Sequence, residues 1–177
     1  MVVVDFGCGR RKHPGTIGLD CNPRSDADII CNLNHPVPLP DSSVDGVICK
    51  DVLEHVGDLV FTMEEIHRIS KPGAKIEIQG PFASSPEFFH DPTHRRAFTS
   101  QSFDYFIEGT PAAQFRYSAA RFRLEKVYYS RGRVRLWDRL FLALANRFKR
   151  QFEARFLFWY PVNTIHFVLR TVKNGKA

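Results

Sequence analysis

The chain has 177 residues, enough for one domain with a hydrophobic core that needs no disulfide or metal support. Its apolar content of 44% and charged content of 25% are ordinary for a globular protein, and no apolar run is long enough to span a membrane. The first residues lack the basic and apolar regions of a signal peptide, so the default expectation is a cytoplasmic location.

Short apolar runs that stop at glycine or at a polar residue predict a series of buried parallel strands. The predicted strands span residues 2–6, 16–20, 27–31, 44–49 and 74–79. Before the last of these, apolar residues recur at helical spacing and predict a helix over residues 58–70. Asp58 is placed to cap this helix, and a turn at Lys71, Pro72 and Gly73 is expected to end it.

The second half of the chain is predicted to begin with a long functional loop over residues 82–98, because no hydrophobic period holds there. Thr99 is expected to cap a short helix that ends at residue 107. A strand over residues 121–130 and a last strand over residues 164–172 flank another helix. That helix has one apolar face, formed by Trp137, Leu140, Phe141, Leu144 and Phe148.

This alternation predicts an α/β fold with a Rossmann-like, mostly parallel sheet and helices on both faces. The nine residues 7–15 that join the first two strands are too few for a full crossover helix, so that helix must be much reduced. A single domain is expected. Its parts are a cofactor-binding half (1–81), an acceptor loop and helix (82–125), and a part that completes the sheet and contains a basic helix (126–177).

A glycine-bearing loop follows the first strand, and an acidic residue closes the second. Gly7 and Gly9 allow the backbone to approach a ligand, and Asp20 is placed to accept hydrogen bonds from ribose hydroxyls. Taken alone, the pattern is also compatible with a tight strand exit without a ligand. The dinucleotide fingerprint is incomplete because Lys12 replaces its third glycine, but an NAD-dependent oxidoreductase remains an alternative, as does a nucleotide-binding domain without catalysis.

Four blocks, in order, resemble the class I S-adenosylmethionine-dependent methyltransferases of type 11. They are residues 3–9 (VVDFGCG), 38–47 (PLPDSSVDGV), 51–56 (DVLEHV) and 65–73 (EIHRISKPG). The resemblance implies methyl transfer from S-adenosylmethionine and a last strand antiparallel to the rest of the sheet. It also implies cofactor contacts from Asp5, Gly7, Cys8, Gly9, Asp20, Cys21, Asn32, Leu33, Lys50, Asp51 and His55. In this assignment the side-chain carbonyl of Asn32 faces the adenine amino group.

The loop over residues 82–98 is the candidate acceptor site. His94 is positioned to act as a general base for an acceptor hydroxyl, with Asp91 as the residue that orients it. Arg95 or Arg96 could hold an anionic group on the acceptor. The region resembles a methyltransferase subgroup often associated with glycan genes, so a small-molecule or glycan-like acceptor with a reactive oxygen or nitrogen is expected. A purely structural loop is the alternative.

The net charge of +6 is concentrated in residues 131–155, which hold eight basic and two acidic residues. This segment could contact an anionic membrane surface, but the favoured interpretation is an apolar face packed on the sheet with a solvated basic face. The pattern does not favour nucleic acid as a partner, because the aromatic residues have the spacing of a helix core. The four cysteines lack CxxC spacing, so no metal site is predicted; one assembled from separate strands is the alternative.

Overall fold

A seven-stranded sheet forms the centre of the protein in the computed structural model, which describes residues 1–131 and 136–173. The strands are β1 (Val3–Phe6), β2 (Ile17–Asp20), β3 (Ile29–Ile30), β4 (Val44–Lys50), β5 (Ser70–Pro81), β6 (Arg121–Ser130) and β7 (Thr164–Val172). Their order is β3-β2-β1-β4-β5-β7-β6, with parallel pairing from β3 to β5. β7 is antiparallel to both β5 and β6. The predicted Rossmann-like sheet with an antiparallel last strand is therefore confirmed.

The strand order changes direction at β1, which pairs with β2 on one side and with β4 on the other. Ligands of open α/β sheets bind at such a switch point, outside the carboxyl ends of the strands. No helix joins β1 to β2, as the short connection predicts. Instead, the buried Asp5 carboxylate accepts hydrogen bonds from the backbone N–H and the Nδ1 atom of His13, which closes the loop tightly.

One face of the sheet carries the hydrophobic core. Alternate residues such as Phe6, Val47, Ile76 and Phe167 are buried there, as expected for the period-two geometry of strands. Helix α1 (Leu59–Ile69) packs on this face, and its His67 ring meets Phe122 edge to face. Asp58 caps α1 by accepting a hydrogen bond from Phe61, as predicted.

Helix α4 (Lys149–Arg155) packs on the same face of the sheet as α1. Its Phe152 contacts the Tyr129 ring of β6, which shares the face of Ile165 and Phe167 by register. On the opposite face, side chains such as Ile48, Glu77 and Val168 are only partly buried. Helices α1 and α4 therefore cover the same face of the sheet, and a loop takes the place of a crossover helix after β1.

Three predictions for local structure are wrong. Helix α2 (Pro86–His90) lies inside the predicted loop, where Ser85 caps it and Pro86 occupies its first turn. The predicted helix over residues 99–107 is a turn followed by one 3₁₀ turn at Asp104–Phe106, because the Ser102 hydroxyl accepts the Thr99 N–H. The turn at residues 71–73 is a bulge within β5 that contains Gly73 at φ +76°, so the strand already begins at Ser70.

The predicted packing of the basic helix is also wrong. The helix is divided into α3 (Leu136–Arg147) and α4, separated by Phe148. Trp137, Leu140 and Leu144 of α3 are exposed, whereas Ala145 is buried and Phe141 contacts Phe152. The helix therefore packs through Phe141 and Ala145, one turn apart, and its larger apolar face points to solvent. Arg133 and Arg135 lie outside the described residues.

Candidate functional site

A cavity of about 270 Å³ opens at the switch point, at the carboxyl ends of β1, β2 and β4. We call it the switch-point cavity. Its walls are formed by Gly7, Asp20, Cys21, Asn32, Leu33, Asn34, Asp51, Val52, His55 and Val56. Seven of the eleven residues predicted to contact a cofactor line this cavity. The positions of Gly7 after the first strand and Asp20 at the end of the second indicate these two, and the resemblance to methyltransferases indicates the other five.

Two residues of this cavity have backbone conformations that need a specific reason. Gly7 has φ +64°, and a Cβ atom built there would lie 2.4 Å from Cγ2 of Val52. Only glycine therefore allows the loop after β1 to approach the turn after β4 so closely. Asp51 has φ +52°, which is uncommon for a residue other than glycine. Its backbone N–H donates to the Gln79 carbonyl and its carboxylate accepts from the Gln79 side chain, and these bonds hold the strained residue at the cavity wall.

The Asp20 carboxylate connects the loops on either side of the switch-point cavity. One oxygen accepts the Gly9 N–H at 2.8 Å, and the other accepts the Asn22 N–H at 2.8 Å. Each carboxylate oxygen can accept a further hydrogen bond. Asp20 can therefore hold the loop after β1 in place and still accept hydrogen bonds from a ligand in the cavity.

Four predicted residues do not line this cavity. Asp5 binds His13, and the N–H of Gly9 binds Asp20, so both shape the loop. The Cys8 side chain is buried against Gly18. Lys50 is exposed and lines a separate depression on the other face of the sheet. Neighbouring backbone contacts, which sequence spacing does not reveal, decide these placements.

Asn32 lines the cavity, but its side-chain carbonyl already has partners. Oδ1 of Asn32 accepts hydrogen bonds from the backbone N–H and the Nδ2 atom of Asn34, at 3.0 and 2.9 Å. Asn34 in turn accepts the Gly57 N–H. Asn32 therefore anchors the turn before α1, and the group it can offer a ligand is its amide N–H₂ instead of its carbonyl.

A second, smaller cavity of about 170 Å³ adjoins the first. This side cavity is lined by Asp51, Glu54, Gln79, Pro81, Glu87, His94 and Thr164. Asp51 lines both cavities, and the His55 ring in the first lies 4.7 Å from the His94 ring in the second. The two cavities therefore meet at Asp51 and the two histidines.

Hydrogen bonds at Nδ1 determine the tautomer of both histidine rings. Nδ1 of His94 lies 3.0 Å from the Phe88 carbonyl, which can only accept. Thr93 donates its hydroxyl proton to Asp91 at 2.6 Å, so its oxygen must accept from Nδ1 of His55 at 2.9 Å. In both neutral rings the Nε2 atom therefore carries a lone pair.

These bonds also correct the role predicted for Asp91. Asp91 was expected to orient His94, but its carboxylate accepts from the N–H and hydroxyl of Thr93. It thereby positions His55, and the Phe88 carbonyl orients His94. Bonds from Thr93 lower the pKa of Asp91, so it remains an acceptor at neutral pH.

Glu54 is the main residue that the sequence analysis did not assign. Its side chain is 1% exposed, and Oε2 has no hydrogen-bond partner among the described residues. Burial, and to a smaller extent the negative charges of Asp51 and Asp91, raise the pKa of Glu54 to about 8. Its Oε1 lies 4.0 Å from Nε2 of His94. The sequence feature that could have indicated Glu54 is its place in the segment DVLEHV, one of the four blocks that resemble methyltransferases.

The two arginines after His94 have different surroundings. The Arg96 guanidinium donates to the backbone carbonyls of Leu53, Val56 and Gly57, so it holds the turn after β4 and not an anionic ligand. Arg95 donates its backbone N–H to the Glu54 carbonyl, and its side chain is exposed. Of the two, Arg95 is the residue available to an anionic acceptor group.

The four cysteines lie near the carboxyl ends of β1 to β4, but they differ in access. Cys21 is exposed and lines the switch-point cavity, whereas burial raises the pKa of Cys8 to about 11 and also raises that of the fully buried Cys49. We expect iodoacetamide to modify Cys21 first. A ligand in the cavity at ten times its Kd should slow this reaction about tenfold.

Mass spectrometry of the labelled peptides, with and without S-adenosylhomocysteine, measures this effect. Cys31 provides the control, because it is half-buried outside the cavity lining and its rate should not change. Equal protection of Cys21 and Cys31 would contradict the assignment.

The sequence of residues 16–78 matches the family described as a methyltransferase domain. This range contains β2 to most of β5, including Asp20 and His55, but neither the loop after β1 nor His94. A search of the curated proteins found no match.

Solved structures share the fold at low sequence identity. A SAM-dependent methyltransferase from Archaeoglobus fulgidus has a TM-score of 0.61 and 16% identity, covering 95% of this chain and 85% of that chain. One from Methanosarcina mazei has a TM-score of 0.59 and 13% identity, covering 97% and 92%. The [4+2]-cyclase SpnF has a TM-score of 0.59 and 15% identity, covering 97% and 75%. The methyltransferase-domain match over residues 16–78 and the shared fold confirm the resemblance to class I methyltransferases that the sequence predicts.

Proposed function

We propose that this protein transfers the methyl group of S-adenosylmethionine to an oxygen or nitrogen atom of a small-molecule or glycan-like acceptor. The observation that carries the proposal is the meeting of two cavities at Asp51, His55 and His94. Methyl transfer from a sulfonium is an in-line displacement, so donor and acceptor must approach one point from opposite sides. A cofactor in the switch-point cavity and an acceptor in the side cavity meet this requirement.

The residues of the switch-point cavity fit S-adenosylmethionine. Gly7 lets the loop after β1 pack against Val52 at the cavity wall, Asp20 offers carboxylate oxygens to the ribose hydroxyls, and Leu33 and Val52 provide apolar contacts for the adenine. When bound, the cofactor supplies an electrophilic methyl group. Asp5 and Gly9 contribute indirectly, by shaping the loop after β1.

His94 takes up the proton that an acceptor hydroxyl loses. Its Nδ1–H is held by the Phe88 carbonyl, so the Nε2 lone pair is the proton-accepting site, and the ring lines the side cavity. A general base that contacts the reacting hydroxyl contributes a factor of about 10²–10⁴ to such reactions. Arg95, exposed next to His94, is the proposed contact for an anionic acceptor group.

The first test of this function is cofactor affinity. Replacing Asp20 by alanine should weaken S-adenosylhomocysteine binding by about 1.5–3 kcal/mol, because the ribose loses charge-assisted hydrogen bonds and the Gly9 loop loses its anchor. Calorimetric titration measures the change. Asp26→Ala is the matched control, since it removes an acid of the next loop that does not line the cavity. Unchanged affinity in Asp20→Ala would refute the assignment.

The same titration with NADH tests the alternative that this is an NAD-dependent oxidoreductase. The protein should bind S-adenosylhomocysteine and not NADH. Because one protein that shares the fold is a cyclase, turnover needs its own test. Incubation with S-adenosylmethionine and a panel of hydroxyl- and amine-bearing glycosides should release S-adenosylhomocysteine with at least one of them. Cofactor binding without release from any acceptor would favour a binding domain without catalysis.

The proposed partner of residues 136–159 is an anionic membrane surface. This segment exposes Trp137, Leu140, Phe158 and Trp159, and it also presents exposed basic residues. The basic set is Arg139, Arg147, Arg150 and Arg155. Apolar and aromatic side chains next to basic ones are typical of segments that lie in the membrane interface.

None of the described helices has both the length and the apolar character needed to cross a bilayer. The protein is thus proposed to be cytoplasmic with reversible contact to a membrane, in agreement with its free thiols.

A vesicle flotation assay tests this contact. The protein should float with vesicles containing phosphatidylglycerol and not with pure phosphatidylcholine, and the double variant Trp137→Ser/Trp159→Ser should lose at least tenfold in binding. Phe115→Ser is the control, because Phe115 is also an exposed aromatic residue but lies outside this segment. Sedimentation that instead shows a dimer sensitive to the tryptophan variants would identify a second copy as the partner and contradict the proposal.

A further inference from the structure

Glu54, His55 and His94 form a donor set that the proposed methyl transfer does not fully explain. One ligating atom of each lies within 4.8 Å of those of the other two. Glu54 and His55 belong to the turn after β4, and His94 belongs to the segment after α2, so the fold brings them together. Two imidazoles with one carboxylate are ligands for Zn²⁺ and other divalent transition-metal ions, whereas Mg²⁺ and Ca²⁺ prefer oxygen ligands.

Both histidines have the second partner that metal-bound histidines have. Nδ1 of His94 donates to the Phe88 carbonyl, and Nδ1 of His55 donates to the Thr93 hydroxyl, which is itself held by Asp91. Such outer hydrogen bonds fix the ring orientation and leave Nε2 as the ligating atom.

The Glu54 carboxyl is an independent indication of a missing partner. It is 1% exposed, and its Oε2 atom has no hydrogen-bond partner among the described residues. Burial of a carboxyl oxygen without a partner costs free energy, and native structures rarely contain one without a reason. A cation between Glu54 and the two histidines would compensate this burial.

We propose that Glu54, His55 and His94 bind a divalent transition-metal ion, with Zn²⁺ as the best-fitting probe. Donors at about 2.0–2.1 Å from a tetrahedral ion lie about 3.4 Å apart. The present separation of 4.0 Å between Nε2 of His94 and Oε1 of Glu54 therefore closes by a small side-chain rotation. Three protein ligands leave one coordination position for water or for an acceptor atom.

The ion regulates the reaction proposed above, and this part of the inference rests on that function. A bound ion occupies the Nε2 lone pair of His94, so His94 can no longer take up the acceptor's proton. The metal-free protein is therefore the active form, and Zn²⁺ inhibits it. Binding itself does not depend on methyl transfer and is measured separately.

The binding experiment uses the full chain, stripped with a chelator and then dialysed. Cys21→Ser/Cys31→Ser serves as the background, because these accessible thiols are alternative Zn²⁺ ligands. Competition with a chromophoric chelator should give one Zn²⁺ per chain. Glu54→Gln, His55→Gln and His94→Gln should each lower the affinity at least tenfold, and Thr93→Val should lower it through His55. His90→Gln, which replaces an exposed histidine of the same segment, should not.

Equal Zn²⁺ affinity in the background protein and in all three ligand variants would overturn the site. If Glu54→Gln does not fold, the two histidine variants still decide the question. Saturating Zn²⁺ should lower turnover at least tenfold, and a rise in turnover would overturn the inhibitory role. A different result would refute the proposed function and leave the metal site intact. In that case the stripped protein would still bind Zn²⁺, but it would bind no S-adenosylhomocysteine or methylate no acceptor.

Discussion

Replacing His94 by alanine is expected to lower kcat by a factor of about 10²–10⁴ while the affinity for S-adenosylhomocysteine stays unchanged. The ring lines the side cavity and not the switch-point cavity, so cofactor binding does not need it. Its Nδ1–H is held by Phe88, which leaves Nε2 as the only ring atom able to accept a proton in the neutral form. Steady-state kinetics in the presence of a chelator, on an acceptor from the glycoside panel, measures the effect.

Two controls separate a chemical role of His94 from a structural one. His90→Ala removes an exposed histidine from the same segment and should retain full turnover. If His94 is the base, His94→Ala should also lose the decrease in kcat at acidic pH. A general loss of packing would instead lower kcat by the same factor at every pH. Wild-type turnover in His94→Ala would mean that positioning alone supports the reaction.

Replacing Glu54 by glutamine is expected to stabilise the metal-free protein above neutral pH by a few kcal/mol. The pKa of Glu54 is raised from its ordinary value of 4.5 to about 8, so the folded chain keeps a proton that the unfolded chain releases. The contribution of this proton to the free energy of unfolding is fully present below about pH 4.5. It is lost as pH rises towards 8, at about 1.4 kcal/mol per unit.

Urea unfolding at several pH values, with chelator present, measures the difference between wild type and Glu54→Gln. The titratable groups that act on Glu54 are Asp51 and Asp91, which raise its pKa, and Arg96, which lowers it. Glu87→Gln removes an exposed carboxylate from the same cavity and serves as the control. A constant difference between Glu54→Gln and wild type from pH 5 to 8 would show that Glu54 is already ionised in the folded protein.

Local sequence patterns identified most of the sheet. β6 and β7 have the predicted bounds, and β1, β2 and β4 begin or end within one residue of them, because apolar strands bounded by glycine or polar residues produce a strong local signal. The same signal was weak between residues 82 and 107. There, Ser85 and Ser102 act through hydrogen bonds to nearby backbone atoms, and these decide where the chain turns.

The packing of α3 shows the limit of periodicity. The pattern correctly identified the amphipathic helix, but it could not indicate which face the sheet would cover. The smaller face, with Phe141 and Ala145, is the one that packs, because Phe152 of α4 and Tyr160 contact Phe141 there. Contacts between residues distant in sequence decide such questions, and the spacing of apolar residues along one helix does not encode them.

The sequence by itself determined the class of the fold and the position of the switch-point cavity, since both follow from strands that end at Asp20 or directly before Gly7 and Asp51. Only the tertiary structure decided the chemistry of the side cavity. The His94 ring comes within reach of Glu54 and His55 because the segment after α2 folds back onto the turn after β4, where Arg96 and the Arg95 N–H bind backbone carbonyls. About forty residues separate these groups in the chain, and no local pattern reports a contact made over that distance.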